Sequence, residues 1–164
     1  KECMIVIDTL AYHKHQFSSV DRTLELYFAG CHLNCAGCQN KELQVQSSET
    51  CRWLTPISVC AELFDYVGIA KQVHILGGEP LEQSVNAINE LTYLLKEMGS
   101  KNIILFTGNI IPKEYITKSN KVFEYVDYVK TGPYDSTQPN VNKVVDKQTG
   151  IILATLNQKI YKVT

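Results

Sequence analysis

The sequence has little of what marks several classes of protein. Its 164 residues include one tryptophan and two methionines, and no apolar run approaches the roughly 20 residues that a membrane span needs. Sixteen basic and seventeen acidic residues leave a net charge of −1, so no basic field indicates nucleic acid or an anionic membrane as a partner. The first residues lack the basic-then-apolar pattern of a secretory signal. We therefore expect a cytoplasmic protein that binds neither nucleic acid nor membranes.

The length limits the fold. A chain of 164 residues predicts a single domain over residues 1–164. A complete (β/α)8 barrel takes about 250 residues, or about 31 per strand–helix unit, so this chain has room for roughly five units. Strand patterns alternate with two helix patterns, the strands falling at Thr23–Phe28, Gln72–Leu76, Asn102–Phe106 and Val126–Lys130 and the helices at Ile57–Val67 and Leu81–Met98. The predicted class is α/β, an incomplete (β/α) barrel with an open, mainly parallel sheet of roughly five to six strands.

The remaining segments carry weaker patterns. We expect a first strand at Met4–Asp8, a polar stretch between residues 13 and 19, and a short helix at Pro112–Ser119. One or two strands are expected within Ile151–Val163, and the turn-rich segment before them, Pro133–Lys147, is a candidate docking loop or a mobile surface loop. At the start of the first helix, Thr55 is placed to cap and Pro56 suits the first helical position.

Cysteine is unevenly distributed. The chain has six, and three of them fall within eight residues, in Cys31-His-Leu-Asn-Cys35-Ala-Gly-Cys38, while Cys3, Cys51 and Cys60 are scattered and predicted to be free thiols. This pattern favours a metal or cluster site over a disulfide framework. A structural zinc ion would need a fourth ligand, and a [4Fe–4S] cluster normally takes four cysteines. Three ligands on one loop leave an iron with an open position, which favours a catalytic cluster.

Three unusual segments follow predicted strands directly. They are the cysteine loop, Gly77-Gly78-Glu79-Pro80 and Thr107-Gly108-Asn109. Parallel strands end at the same edge of a sheet, and α/β proteins bind their ligands at that edge. We therefore expect the three segments to meet there.

The ordered pair of motifs, Cys-x3-Cys-x2-Cys after one strand and Gly-Gly-Glu-Pro after a later one, resembles the radical S-adenosylmethionine (SAM) superfamily. Within it, the sequence is most similar to the activating proteins of anaerobic (class III) ribonucleotide reductases. Their pattern matches the segment from Leu26 through Gly30-Cys31 to Gly37-Cys38-Gln39-Asn40, together with Thr107-Gly108 and the late pair Asn157-Gln158. The family's Asp-Gly-Lys is replaced by Val129-Lys130-Thr131-Gly132-Pro133-Tyr134.

The resemblance implies a [4Fe–4S] cluster on Cys31, Cys35 and Cys38, through which these residues would act in catalysis, with SAM on the fourth iron. One electron would cleave SAM to methionine and a 5′-deoxyadenosyl radical. Candidate SAM-binding residues lie on four segments: Gly37, Cys38 and Gln39; Gly77, Gly78 and Glu79; Thr107; and Lys130. The two glycines would let the backbone approach the methionine end, Glu79 would accept from the ammonium group, and residues 37 and 39 would offer backbone groups to the adenine. Lys130 is either a ligand-binding residue or a surface lysine.

The implied substrate is a protein, the large subunit of the anaerobic reductase, on which a glycyl radical would be made. The implied electron donor is a flavodoxin or ferredoxin. Two alternatives stay open. The same core would serve an enzyme that modifies another protein, a peptide or a small molecule, and three cysteines would also suit a non-catalytic zinc-binding interaction module.

Overall fold

The computed structural model describes residues 8–19 and 21–164. Within them, seven strands form one sheet in the order β3-β1-β2-β4-β5-β6-β7. The strands are β1 Leu10–Ser18, β2 Thr23–Phe28, β3 Arg52–Leu54, β4 Gln72–Gly77, β5 Ile103–Phe106, β6 Tyr128–Thr131 and β7 Lys159–Lys162. The two α-helices are α1 Pro56–Val67 and α2 Val85–Glu97.

The centre of the sheet is parallel. Strands β2, β4, β5 and β6 pair in parallel, and the antiparallel strands β1, β3 and β7 flank them. Helix α1 precedes β4 and helix α2 connects β4 to β5, as strand–helix–strand crossovers require. The open α/β sheet expected from the sequence is confirmed, with seven strands among the described residues instead of five to six.

Both helices pack on the same face of the sheet. Their apolar stripes meet the apolar positions of the parallel strands in one core, which includes Leu24, Leu26, Val59, Leu63, Val73, Ile75, Ile88, Leu91, Leu105 and Val129. Side chains alternate between faces along a strand, so the neighbours of these residues point the other way. Glu25, His74, Phe106 and Lys130 therefore share the face away from the helices. His74 is 9% exposed, so its ring is buried on this face.

The helix termini follow from local chemistry. Thr55 caps α1 by accepting a hydrogen bond from the Ser58 backbone at 3.2 Å, with Pro56 in the first turn. The expected helix at 81–98 is shorter, because the Ser84 hydroxyl accepts from Ala87 N and starts α2 at Val85. The preceding residues Pro80–Glu82 form a separate 3-10 turn.

Two local expectations were wrong. The polar stretch from 13 to 19 belongs to strand β1, because it forms an antiparallel hairpin with β2 whose turn contains Asp21 and Arg22 at positive φ. The expected helix at Pro112–Ser119 is reduced to a 3-10 turn at Lys113–Tyr115. The C-terminal segment does form one of the one or two strands expected there, Lys159–Lys162, together with two isolated bridges. Of the expected strand Met4–Asp8, residues 4–7 lie outside the described residues and Asp8 is not in a strand.

Strand register sets the position of the loops. Phe28 at the end of β2 lies opposite Gly77 at the end of β4, and Phe106 lies opposite Lys130. The carboxyl ends of the four parallel strands therefore form one rim, and the loops that follow them lie side by side. Among the described helices, none is long and apolar enough to cross a membrane.

Candidate cluster site

A cavity of about 200 Å³ opens at this rim. Its walls come from the ends of β2, β4, β5 and β6 and from the C-terminal segment. Nine of the ten residues proposed from the sequence line it: Cys31, Cys35, Cys38, Gln39, Gly77, Gly78, Glu79, Thr107 and Lys130. Gly37 lies beside the cavity, at a positive φ of 76° and against the Tyr134 ring.

The cysteine loop begins where β2 ends. Gly30 N donates to Leu43 O at 2.7 Å and Cys31 N donates to Gln44 O at 3.1 Å, so the loop is tied at its base to the segment after it. The three thiols are unpaired and partly buried. Among the described residues, no group of three or more histidine, cysteine, aspartate or glutamate side chains converges as a single metal ion would require. The cysteines share one cavity without meeting at one point.

The Cys31 thiol is not prepared for ionisation by the protein around it. Burial raises its pKa, and the charges of Glu82, Glu79 and Cys35 raise it further, while a hydrogen bond from the Leu33 backbone lowers it. A thiolate here therefore depends on positive charge from a bound centre. Three thiols on one cavity wall, with no disulfide among them, fit the donor set of an iron–sulfur cluster held by three cysteines.

Gly77 and Gly78 are required by the packing of the strands. A Cβ on Gly77 would lie 2.4 Å from Phe28 N, and one on Gly78 would lie 2.5 Å from Gly30 O. Their small size allows Gly78 N to donate to Phe28 O at 2.7 Å and Glu79 N to donate to Gly30 O at 2.8 Å. The two glycines thus bring the β4 end against the start of the cysteine loop.

Glu79 is 1% exposed, and both of its carboxylate oxygens are engaged. Oε1 accepts from Leu81 N at 3.0 Å and Oε2 accepts from Gly108 N at 2.8 Å. Burial raises the pKa of this carboxyl, while these backbone donors and the Thr107 hydroxyl act to lower it. The residue connects the loop after β4 to the loop after β5, a role that the sequence does not reveal.

Lys130 is the buried cation of the cavity. It is 9% exposed, so the surface-lysine alternative is wrong. Its Nζ lies 4.9 Å from the centre of the Phe106 ring, and no carboxylate among the described residues pairs with it. Burial lowers the pKa of Lys130 to about 8. Burial, and to a smaller extent the charge of Lys130, lowers the pKa of His74 to about 4.

The late pair Asn157-Gln158 holds the β6 loop in place. Asn157 Nδ2 donates to Pro133 O at 2.8 Å and Gln158 Nε2 donates to Gly132 O at 3.2 Å. Gln158 also lines the cavity, as do Leu33, Phe106 and Tyr134, which sequence reasoning did not assign to the site. Phe106 ends β5, and Leu33 and Tyr134 lie in the loops after β2 and β6, so their positions after parallel strands were the available signal.

The cavity, its three cysteines and the open α/β sheet define a candidate iron–sulfur cluster domain. A protein-family model described as a 4Fe-4S single cluster domain matches residues 22–152. Because the match spans more than half of the chain, the protein belongs to this family. Membership favours a cluster over the zinc alternative.

Solved structures support the fold. QueE from Escherichia coli is similar with a TM-score of 0.51 and 16% sequence identity, over 64% of this chain and 54% of QueE. The chain therefore spans about half the length of QueE, and the likeness concerns the fold. A search of curated proteins finds no match.

Proposed function

We propose that the protein is a radical SAM activase that generates a glycyl radical on a large anaerobic ribonucleotide reductase. The observation that carries the proposal is the meeting of the Cys-x3-Cys-x2-Cys loop, Gly77-Gly78-Glu79, Thr107 and Lys130 at one cavity. These segments are far apart in the sequence. The resemblance to the activating proteins rests on the cysteine loop and Thr107, and the resemblance to the wider superfamily rests on the cysteine loop and the Gly77-Gly78-Glu79 segment.

In this proposal Cys31, Cys35 and Cys38 hold a [4Fe–4S] cluster, and SAM binds beside it. When bound, the cluster supplies the electron that cleaves SAM to methionine and a 5′-deoxyadenosyl radical, which takes a hydrogen atom from a glycine of the partner. The protein's own residues bind and orient the reactants and keep water out.

Lys130 is suited to hold the SAM carboxylate, because it is a buried cation on the cavity wall and pairs with no carboxylate in the described part of the chain. Glu79 supports the site mainly by fixing the loops after β4 and β5, since its oxygens already accept two backbone hydrogen bonds. Each oxygen retains a second lone pair, so the ammonium of SAM remains a candidate partner.

The open sheet favours a protein substrate. A second cavity, of about 570 Å³, shares Leu76 and Phe106 with the first and extends along the sheet face to His74 and Glu25. The chain's own residues 149–152 line part of this cavity, and a segment of a partner protein would close the remaining opening. The electron donor in this proposal is a flavodoxin or ferredoxin.

The test is an anaerobic reconstitution with iron and sulfide, followed by SAM, a reductant and the reductase. We expect SAM cleavage and a glycyl radical signal in electron paramagnetic resonance (EPR). Cys31→Ala should abolish both, whereas Cys51→Ala, a buried cysteine away from the cavity, should retain them. SAM cleavage without a glycyl radical would favour a different substrate, and no SAM cleavage in the cluster-loaded protein would refute the proposal.

A further inference from the structure

The carboxylate of Glu82, which lies outside the cysteine loop, accepts a hydrogen bond from the loop's backbone. Glu82 Oε2 accepts from the backbone N of His32 at 2.9 Å, and Glu82 Oε1 contacts His32 Nδ1. His32 directly follows Cys31, and its side chain is 94% exposed. The contact therefore fixes the backbone beside the first cysteine rather than burying an imidazole.

The position of Glu82 follows from the glycine segment after β4. Glu79 N donates to Gly30 O at 2.8 Å, and Glu82 N donates to Glu79 O at 3.0 Å within the 3-10 turn Pro80–Glu82. This turn places the Glu82 carboxylate next to the start of the cysteine loop. Two backbone hydrogen bonds also hold residues 31–38: Cys31 N donates to Gln44 O, and Cys38 N donates to Cys35 O.

Glu82 also brings a negative charge close to Cys31, because its carboxylate accepts a hydrogen bond from the backbone N of His32, the amide directly after Cys31. A negative charge next to a cluster ligand opposes the addition of an electron to the cluster, because reduction makes the centre more negative. Hydrogen bonding and charge are thus two separable contributions of one side chain.

We propose that Glu82 is a positioning residue for the cluster, which anchors the backbone beside Cys31 by hydrogen bonding and lowers the reduction potential of the cluster by its charge. This inference rests on the cluster of the proposed function. Reduction here is the addition of one electron to the oxidised cluster, supplied in the test by dithionite.

The test compares Glu82→Gln, Glu82→Ala and the control Glu90→Gln, which removes an exposed carboxylate on α2. The amide of Glu82→Gln retains an oxygen that accepts from His32 N, whereas alanine removes both the acceptor and the charge. The reconstituted proteins are titrated with dithionite under EPR detection, and cluster loss to an iron chelator is timed. Circular dichroism of the unloaded proteins verifies their folding.

Both Glu82 variants should be easier to reduce than the wild type, by up to about tenfold in the reduction equilibrium, or about 59 mV for one electron. Only Glu82→Ala should lose its cluster several times faster, and Glu90→Gln should match the wild type in both measurements. An unchanged potential in Glu82→Gln, or unchanged chelation in Glu82→Ala, would overturn the proposal while leaving the cluster site intact. A wild-type protein that takes up no cluster would refute the cluster site and this inference together.

Discussion

Gly77→Ala should destabilise the protein far more than Gly99→Ala, although both glycines have a positive φ. Gly77 has a φ of 119°, and its added Cβ would lie 2.4 Å from Phe28 N and 2.6 Å from Phe28 O. The φ strain costs about 1–3 kcal/mol. Relieving the clash moves β4 away from β2 and weakens the hydrogen bond from Gly78 N to Phe28 O, so we expect a total loss of about 3–6 kcal/mol.

Two other glycines allow the cost of backbone strain to be measured separately from the cost of the steric clash. Gly99 has a φ of 94° and no atom within 4 Å of an added Cβ, so Gly99→Ala should cost only about 1–2 kcal/mol. Gly68 has a φ of −66° and open space, so Gly68→Ala should be neutral or should stabilise by about 0.4–1 kcal/mol.

The assay is urea unfolding of the cluster-free proteins, followed by far-UV circular dichroism, with unfolding free energies from linear extrapolation. Small domains have unfolding free energies of about 5–15 kcal/mol, so a loss of about 3–6 kcal/mol should give a large shift of the urea midpoint. A Gly77→Ala protein as stable as Gly99→Ala would refute the argument that the glycine is required by the approach of β4 to β2.

Two further predictions concern the buried charges. Lys130→Met should weaken SAM binding to the cluster-loaded protein by about 10–100-fold, because it removes a charged partner of the carboxylate. The SAM affinity of the wild type should fall as pH rises through about 8, where free Lys130 loses its proton. Calorimetric measurement of SAM binding should show no such fall in Lys130→Met. Equal SAM affinities of the wild type and Lys130→Met would exclude the contact. Glu79→Gln should lower the unfolding free energy by about 1–3 kcal/mol, because its amide offers one acceptor where Leu81 N and Gly108 N need two. Urea unfolding equal to the wild type would contradict this.

Much of the fold could be predicted because its signals are local. The strand at Thr23–Phe28 alternates apolar and polar residues, and the Thr55-Pro56 pair starts α1 as its capping chemistry dictates. Strand β1 was missed because its polar residues pair with β2, and such pairing overrides local propensity. The start of α2 at Val85 was not predicted, because it depends on which residue caps the helix, and that residue is Ser84.

The sequence predicted which residues form the site better than it predicted what each of them does there. The cysteines, the glycines and Glu79 stand out by spacing and by their positions after strands, and they do meet at one cavity. The hydrogen-bond partners of the site residues could not be predicted from the sequence, because Glu79 contacts Gly108 and Glu82 contacts His32 across long sequence separations. The clash that requires Gly77 likewise arises from a neighbouring strand.

By itself, the sequence determined the class of fold, the three-cysteine loop and the order of the segments along the chain, because hydrophobic periodicity and residue spacing are properties of neighbours in the chain. Only the tertiary structure decided that Lys130 is buried, with no carboxylate partner in residues 8–19 and 21–164, and that Glu82 contacts the cysteine loop. Burial and pairing depend on residues brought together by parallel strands, and strand register sets those distances.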